Sequence, residues 1–234
     1  MRKYVVINSK GGCGKTTIAT NLASYYAANG YRTALLDYDP QDSAVRWLEH
    51  RSGDCPAIHG VAAAHPPTGN VTRSFHLRVP ADTERVILDT PASLKRMDLI
   101  DILRGVTAIV VPVLPSTIDS HVTASFIENL TAMTRSHAPD APIAVVANRV
   151  RRNTRAWQSL LTFFESIDMT PVAALRDTQN YVTAAEQGIG IHEMDGRQTR
   201  TDRQQWEALI AWLESPDSRS PQRNLEGGER RCIA

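Results

Sequence analysis

Lys10 and Lys15 enclose three glycines and lead into two threonines in the run Lys10-Gly11-Gly12-Cys13-Gly14-Lys15-Thr16-Thr17. Residues of these types suit one task, which is holding a polyphosphate. Glycines let successive backbone N–H groups turn inward, and a helix opening at the end of the loop adds partial positive charge. Lys15 is placed to reach the β- and γ-phosphates of a nucleoside triphosphate, and the Thr16 hydroxyl to ligate Mg²⁺. The strict phosphate-loop spelling fails at one place, where Ser9 stands in the position of the first glycine. A glycine-rich turn that merely joins a strand to a helix is the plain alternative. The order strand, loop, helix argues against it.

The elements that must carry this loop alternate along the chain. Tyr4 to Asn8 is a short apolar strand, and Thr16 to Asn29 has helical spacing and stops at Gly30. Thr33 to Tyr38 is a second strand, and Val86 to Asp89 a third. Val106 to Val111 and Ile143 to Asn148 are continuous apolar runs, as in strands buried on both faces of a parallel sheet. Pro171 to Leu175 reads as the last strand, and Ala57 to Ala62 as a short one inside a poorly patterned stretch from 51 to 83. Helical segments fall near 94–103, 117–135, 153–166 and 201–213. The alternation predicts an α/β fold, a single doubly wound, mostly parallel sheet flanked by helices. Residues 1–214 are expected to form one domain, and 215–234 a disordered polar tail.

Composition narrows the class. The chain has 234 residues, 42% of them apolar and 22% charged, with a mean hydropathy of −0.29. That excludes a disordered chain, a collagen-like repeat and a coiled coil. No apolar run approaches the ~20 residues needed to cross a bilayer. Three scattered cysteines, Cys13, Cys55 and Cys232, make no disulfide framework, so a reducing cytoplasm is expected. The net charge of +1 carries no message about nucleic acid, but the arginines gather late, at 149, 151, 152, 155, 197, 200 and 203.

The loop K-G-G-x-G-K-T-T resembles the deviant Walker A motif of the ParA/MinD family of ATPases. Two further stretches carry the resemblance. Leu35-Leu36-Asp37-Tyr38-Asp39-Pro40-Gln41 is similar to the family's D-x-D-P-Q element, and Val86-Ile87-Leu88-Asp89-Thr90-Pro91-Ala92 to its Walker B stretch. The resemblance implies ATP and Mg²⁺ as cofactors, bound by Lys10, Gly11, Gly12, Cys13, Gly14, Lys15, Thr16 and Thr17. Asp39 would orient the attacking water and touch the metal's water shell, and Asp89 would hold Mg²⁺ through water. Asp37 is left between a switch role and a solvated or capping carboxylate. Lys10 would cross into a partner subunit's nucleotide site, implying a homodimer closed around two ATP molecules. Lys10, Lys15 and Asp39 form the catalytic set. Asn148-Arg149 resembles the family's base-reading pair, and Arg176, in Leu175-Arg176-Asp177, falls where the family closes over the base. Tyr181 and Gly188 fit an aromatic-then-glycine spacing that points to packing.

The family holds several branches. An iron–sulfur branch needs a cysteine after the Walker B stretch, and Ala92-Ser93 follows Pro91 instead. The tail has no apolar helical face and Cys232 is third from the end, so neither a membrane helix nor a prenyl anchor is expected. The chain begins just before its first strand, which resembles the small ParA type without a sequence-specific repressor extension. Such a protein is expected to bind nonspecific double-stranded DNA as the ATP dimer through the late arginines. The competing reading makes those arginines a solvated face or ion-pair partners of Glu165, Asp195 and Asp202. The expected function is a weak ATPase, cytoplasmic and nucleoid-associated, stimulated by a ParB-like or equivalent cargo-bound activator. Its cargo would be a plasmid, a carboxysome or a chemoreceptor cluster. The alternatives are an ATP-dependent metabolic enzyme of the same fold and a regulator acting on a protein partner without DNA.

Overall fold

The computed structural model describes residues 1–65, 72–115 and 120–215. Seven strands, β1 (Arg2–Val6), β2 (Thr33–Asp37), β3 (Ile58–Ala62), β4 (Arg85–Asp89), β5 (Ala108–Val113), β6 (Ile143–Val150) and β7 (Ala173–Arg176), form one sheet in the order β3-β2-β4-β1-β5-β6-β7. Every neighbouring pair is parallel. Each crossover therefore runs through helical or irregular chain lying on a face of the sheet. The helices are α1 (Lys15–Ala28), α2 (Ser43–Glu49), α3 (Arg73–His76), α4 (Arg96–Leu103), α5 (Ser120–His137), α6 (Arg155–Ser166), α7 (Asn180–Glu186) and α8 (Gly196–Glu214).

Alternate residues of each central strand enter different cores. Val5, Leu36, Leu88 and Val111 pack with Ile102 and Leu103 of α4, Leu130 of α5 and Phe164 of α6. Tyr4, Val6, Leu35, Ile87 and Val110 pack with Ile18 and Leu22 of α1 and Trp206 and Leu209 of α8. Both sheet faces are thus covered, which is why these strands read as unbroken apolar runs. The doubly wound parallel sheet is the architecture the alternation predicts.

Boundaries shift by a few residues. β1 starts at Arg2 and β5 ends at Val113, while β6 runs to Val150 through an irregular step after Ala147, with Arg149 at a left-handed φ of 53°. α8 begins at Gly196 rather than near 201, because Asp195 caps its first turn by accepting from the Arg197 N–H. Three helices were not anticipated, α2, α3 and α7. The expected tail from 216 onward, Cys232 included, lies outside the described residues.

β1 joins the two windings of the sheet. The chain leaves it for β2, β3 and β4 on one side, and crosses to β5, β6 and β7 on the other. Ligands of such sheets bind beyond the carboxyl ends of the strands at that point. The register brings Asp89 level with Val6 and Asp37 level with Asp89, so two carboxylates stand at adjacent strand ends beside the loop that leaves β1.

Candidate functional site

The loop after β1 is built to leave its N–H groups available. Gly12 and Gly14 have φ values of 70° and 93°, a region that favours glycine. Gly14 is the N-cap of α1, so no side chain there closes the helix end, and the first turn carries no acidic residue. Orphan N–H groups at an uncapped, electropositive helix end are an anion site. A β-carbon on Gly14 would also collide with the Asn148 amide. Asn148 is buried and holds the loop directly, its Nδ2 donating to the Cys13 carbonyl at 2.8 Å while its Oδ1 accepts from the Arg149 N–H at 3.0 Å. Asn8 does the same from the other side. Its Nδ2 donates to the Pro112 carbonyl at 2.7 Å and its Oδ1 accepts from the Lys10 N–H at 3.0 Å.

Lys15 is buried at 7% exposure, and its ammonium donates to the Lys10 carbonyl at 3.1 Å, folding back over the loop. Cys13 is fully buried, and burial pushes its thiol pKa up, so it fills space. The two strand-end carboxylates have opposite characters. Asp37 is fully enclosed and saturated: Oδ1 accepts from the Asp39 N–H at 2.9 Å, and Oδ2 from the N–H groups of Ala44 and Val45 at 2.8 and 3.2 Å. It caps α2 from the end of a strand, the arrangement of a capping carboxylate. Burial still pushes its pKa up, against those three donors.

Asp89 is fully buried, and neither of its carboxylate oxygens has a hydrogen-bond partner. Burial, with Asp37 and Asp39 nearby, pushes its pKa up to about 7, while Thr16 and Lys15 favour the charged form. An unpaired buried carboxylate is costly unless a cation completes it. Its hard oxygens, with the Thr16 hydroxyl beside them, are the donor set that Mg²⁺ takes. Asp39 is half-buried, and its Oδ1 accepts from the Gln41 N–H at 3.0 Å.

The remaining expected residues lie further out. Arg176, at the end of β7, turns its guanidinium toward α8, donating to Asp202 from Nε at 2.5 Å and from Nη2 at 3.0 Å. Tyr181 accepts from Trp206 Nε1 at 2.9 Å, a packing role. Gly188, with φ 65°, lets the chain pass the backbone of His50 and Arg51, where a β-carbon would sit at 2.5 Å. Among the late arginines, Arg151 pairs with Asp177 at 2.6 Å. Arg203 is turned inward, donating to the Ile191 carbonyl, the Thr199 hydroxyl and the Met194 carbonyl. Arg149, Arg155, Arg197 and Arg200 are exposed. Sequence reasoning passed over Asn8 and Gln205, and offered Asp202 only as an ion-pair partner of the late arginines, whereas it pairs with Arg176. Asn8 was detectable as the polar residue closing an apolar strand.

A glycine loop between a parallel strand and an uncapped helix, facing an unpaired carboxylate on the next strand, defines a P-loop nucleotide-binding protein. The chain belongs to the CobQ/CobB/MinD/ParA nucleotide binding domain family, whose profile matches residues 4–189. The "Maintenance of carboxysome distribution protein A" of Halothiobacillus neapolitanus is 26% identical over 193 residues, covering 82% of this chain and 87% of its own length. The apo structure of McdA from Cyanothece superposes with a TM-score of 0.67 at 16% identity, over 89% of this chain and 99% of that one. Cobyrinic acid a,c-diamide synthase from Mycobacterium smegmatis, with bound ATP analog and magnesium, gives 0.64 at 19% identity over 92% and 96%. Among the described residues, no helix is long and apolar enough to cross a membrane.

Proposed function

We propose that this chain is a ParA-type ATPase that closes as a homodimer around ATP, binds nonspecific DNA in that state and positions a cargo in the cytoplasm. The observation that carries the reading is the presence together of a lysine at the head of the loop, Lys10, and a buried unpaired carboxylate, Asp89, beside Lys15 and Thr16. Thr16 and Asp89 would hold Mg²⁺, which supplies charge neutralisation at the β- and γ-phosphates when bound. Lys15 meets the same phosphates from the loop, and the loop N–H groups hold the oxygens between them. Asp39, at the edge of the site, positions the attacking water. Lys10 supplies positive charge to the partner's transferring phosphate, as an arginine finger does in trans. Hydrolysis then opens the dimer, and a cargo-bound activator sets its rate. Relatives named for carboxysome distribution and for chromosome partitioning support cargo positioning over the other branches.

A second reading has one observation behind it. A cavity of about 760 Å³ opens beside Ser9 and Ser93, between α4 and α5, with Leu94, Phe126 and Met133 on its walls. A metabolic enzyme of this fold needs such a pocket for its substrate.

One experiment separates the readings. Binding of a random-sequence duplex is measured with ATP, ADP and no nucleotide across a salt series, with Asp39→Ala to retain ATP. ATP-dependent binding that weakens steeply with salt and disappears in Lys10→Ala is the expected result. A confirmed dimer that ignores DNA in every nucleotide state, even at low salt, sinks the DNA reading and leaves the cavity or a protein partner.

A further inference from the structure

Asp202 is a fully buried carboxylate on α8, in a helix whose outer face is charged. Its two oxygens are saturated. Oδ1 accepts from Arg176 Nε at 2.5 Å, and Oδ2 from Arg176 Nη2 at 3.0 Å and Asn180 Nδ2 at 2.7 Å. The grip extends along the helix in both directions. One turn earlier, the Gln198 carbonyl accepts from Asn180 Nδ2 at 3.2 Å. One turn later, Gln205 Oε1 accepts from the Arg176 backbone N–H at 2.8 Å, and Trp206 Nε1 donates to the Tyr181 hydroxyl. Residues 176–181, the connection from β7 into α7, are therefore fastened to α8 at Gln198, Asp202, Gln205 and Trp206.

The outer side of the same helix carries Arg197 and Arg200, both exposed, with Arg200 two residues from Asp202. Their neighbour Arg203 is turned inward. One rigid element thus joins the connection expected to close over the base with the side chains suited to DNA phosphates. Asp202 is fully buried while the Arg176 side chain is 38% exposed, so it is loss of the arginine that strands a buried charge, and the bidentate grip fixes Arg176 against α8.

We propose that Asp202 is a positioning residue which ties the nucleotide side of the site to the arginine face of α8, so that ATP and DNA bind as coupled ligands. This rests on the function proposed above. A movement of the 176–181 connection on nucleotide binding carries α8 with it, and the arginines with α8. The coupling is reciprocal by thermodynamic necessity, so DNA must tighten ATP by the factor that ATP tightens DNA.

The test uses the full chain as wild type, Asp202→Asn and Gln205→Ala. Anisotropy of a labelled random-sequence duplex is read with and without ATPγS and Mg²⁺, and a fluorescent ATP analogue is titrated with and without unlabelled duplex. Wild type is expected to show a coupling factor of roughly ten- to a hundredfold in both directions. In both variants that factor falls to about threefold or less. Nucleotide-free DNA affinity stays near the wild-type value, since Arg197 and Arg200 remain, and a merely structural role would not move the ratio. Asp202→Asn that fails to fold by circular dichroism leaves Gln205→Ala and Asn180→Ala to decide on the same criterion. Folded variants that keep the wild-type factor overturn the inference while leaving the function standing. A wild-type protein whose DNA affinity ignores ATP overturns the functional reading, and this inference with it.

Discussion

His192 sits between α1 and α8 with its ring edge-on to Tyr25 at 4.8 Å and to Trp206 at 6.1 Å. Its Nδ1 is buried and has no hydrogen-bond partner. A proton there would bring a buried, unpaired N–H and a positive charge close to Arg203. Burial first, and Arg203 second, lower its pKa from 6.5 to about 4. The folded protein therefore keeps the ring neutral while the unfolded chain takes up a proton. Stability is complete above pH 6.5 and is lost as pH falls from there toward 4. The full shift is worth about 3 kcal/mol, and by pH 5 about 2 kcal/mol of it has gone. The ring is only half-buried, so solvent screening reduces the loss at pH 5 to about 1 kcal/mol. Urea unfolding followed by far-UV circular dichroism at pH 7.5 and 5.0, in wild type and His192→Phe, isolates it from the carboxylates that both proteins share. Wild type should lose about 1 kcal/mol more than the variant across that interval. Parallel losses, or an NMR midpoint for His192 above 6, would refute the reasoning.

Other consequences follow from the same contacts. Arg197→Ala and Arg200→Ala should each reduce the slope of log affinity for DNA against log salt by about 0.9, with thermal stability unchanged. Arg203→Ala should leave that slope alone and cost about 1–3 kcal/mol of stability, because the Ile191 and Met194 carbonyls lose their donor; a changed slope with unchanged stability would mean the guanidinium reaches DNA. Asn148→Ala should weaken Mg-ATP binding about three- to tenfold through the loosened Cys13 carbonyl, and equal affinity in a fluorescent-analogue titration would dismiss the buttress. Asp89→Asn removes an unpaired buried charge, so stability without metal should rise by about 1–2 kcal/mol above pH 7 while Mg²⁺-dependent hydrolysis is lost. A fall in metal-free stability would mean that Asp89 has partners in the folded protein.

What the sequence disclosed and what it hid divide along physical lines. The loop, Asp39 and Asp89 were legible because glycine geometry, a lysine and strand-end carboxylates are local in sequence. The strands were legible because burial on both faces leaves continuous apolar runs. Ser43–Glu49 carries no such signal, since the carboxylate that caps it is Asp37, on the preceding strand, while its own N-cap, Asp42, makes no cap bond. Residues 180–186 are too short to display a helical stripe. The arginines at 197, 200 and 203 looked like one group, yet Arg203 sits a turn beyond Arg200, where a pair of loop carbonyls draws it inward. Asp202 was matched with the late arginines near it in sequence because its actual partners, Arg176 and Asn180, arrive from another element. Long-range pairing has no local signature.

The stretch from Gly188 to Glu193 gives α8 a second tie to the phosphate loop. α1 starts at that loop, and three of its residues meet this stretch. Asn21 Oδ1 accepts from the Ile191 N–H at 2.7 Å, Ser24 lies where a β-carbon on Gly190 would go, and Tyr25 packs on His192. The end of α2 meets it too. Arg51 donates to Glu193 at 2.9 and 2.5 Å, with side-chain exposures of only 6% and 10%, and its Nη1 also donates to the Gly188 carbonyl. Neither glycine can carry a side chain without moving a neighbouring helix. Buried pairs of this kind contribute little net stability against a well-packed apolar substitute, but they hold their partners in one geometry. Arg176–Asp202 holds α8 itself, and Arg51–Glu193 holds the stretch that leads into α8, which Arg203 of that helix grips through the Ile191 and Met194 carbonyls. One pair reaches the nucleotide site through the end of β7, the other through α1 and α2. A helix fastened twice to a ligand site cannot keep its orientation when that site rearranges unless one fastening gives way, and both are built from groups that are costly to separate.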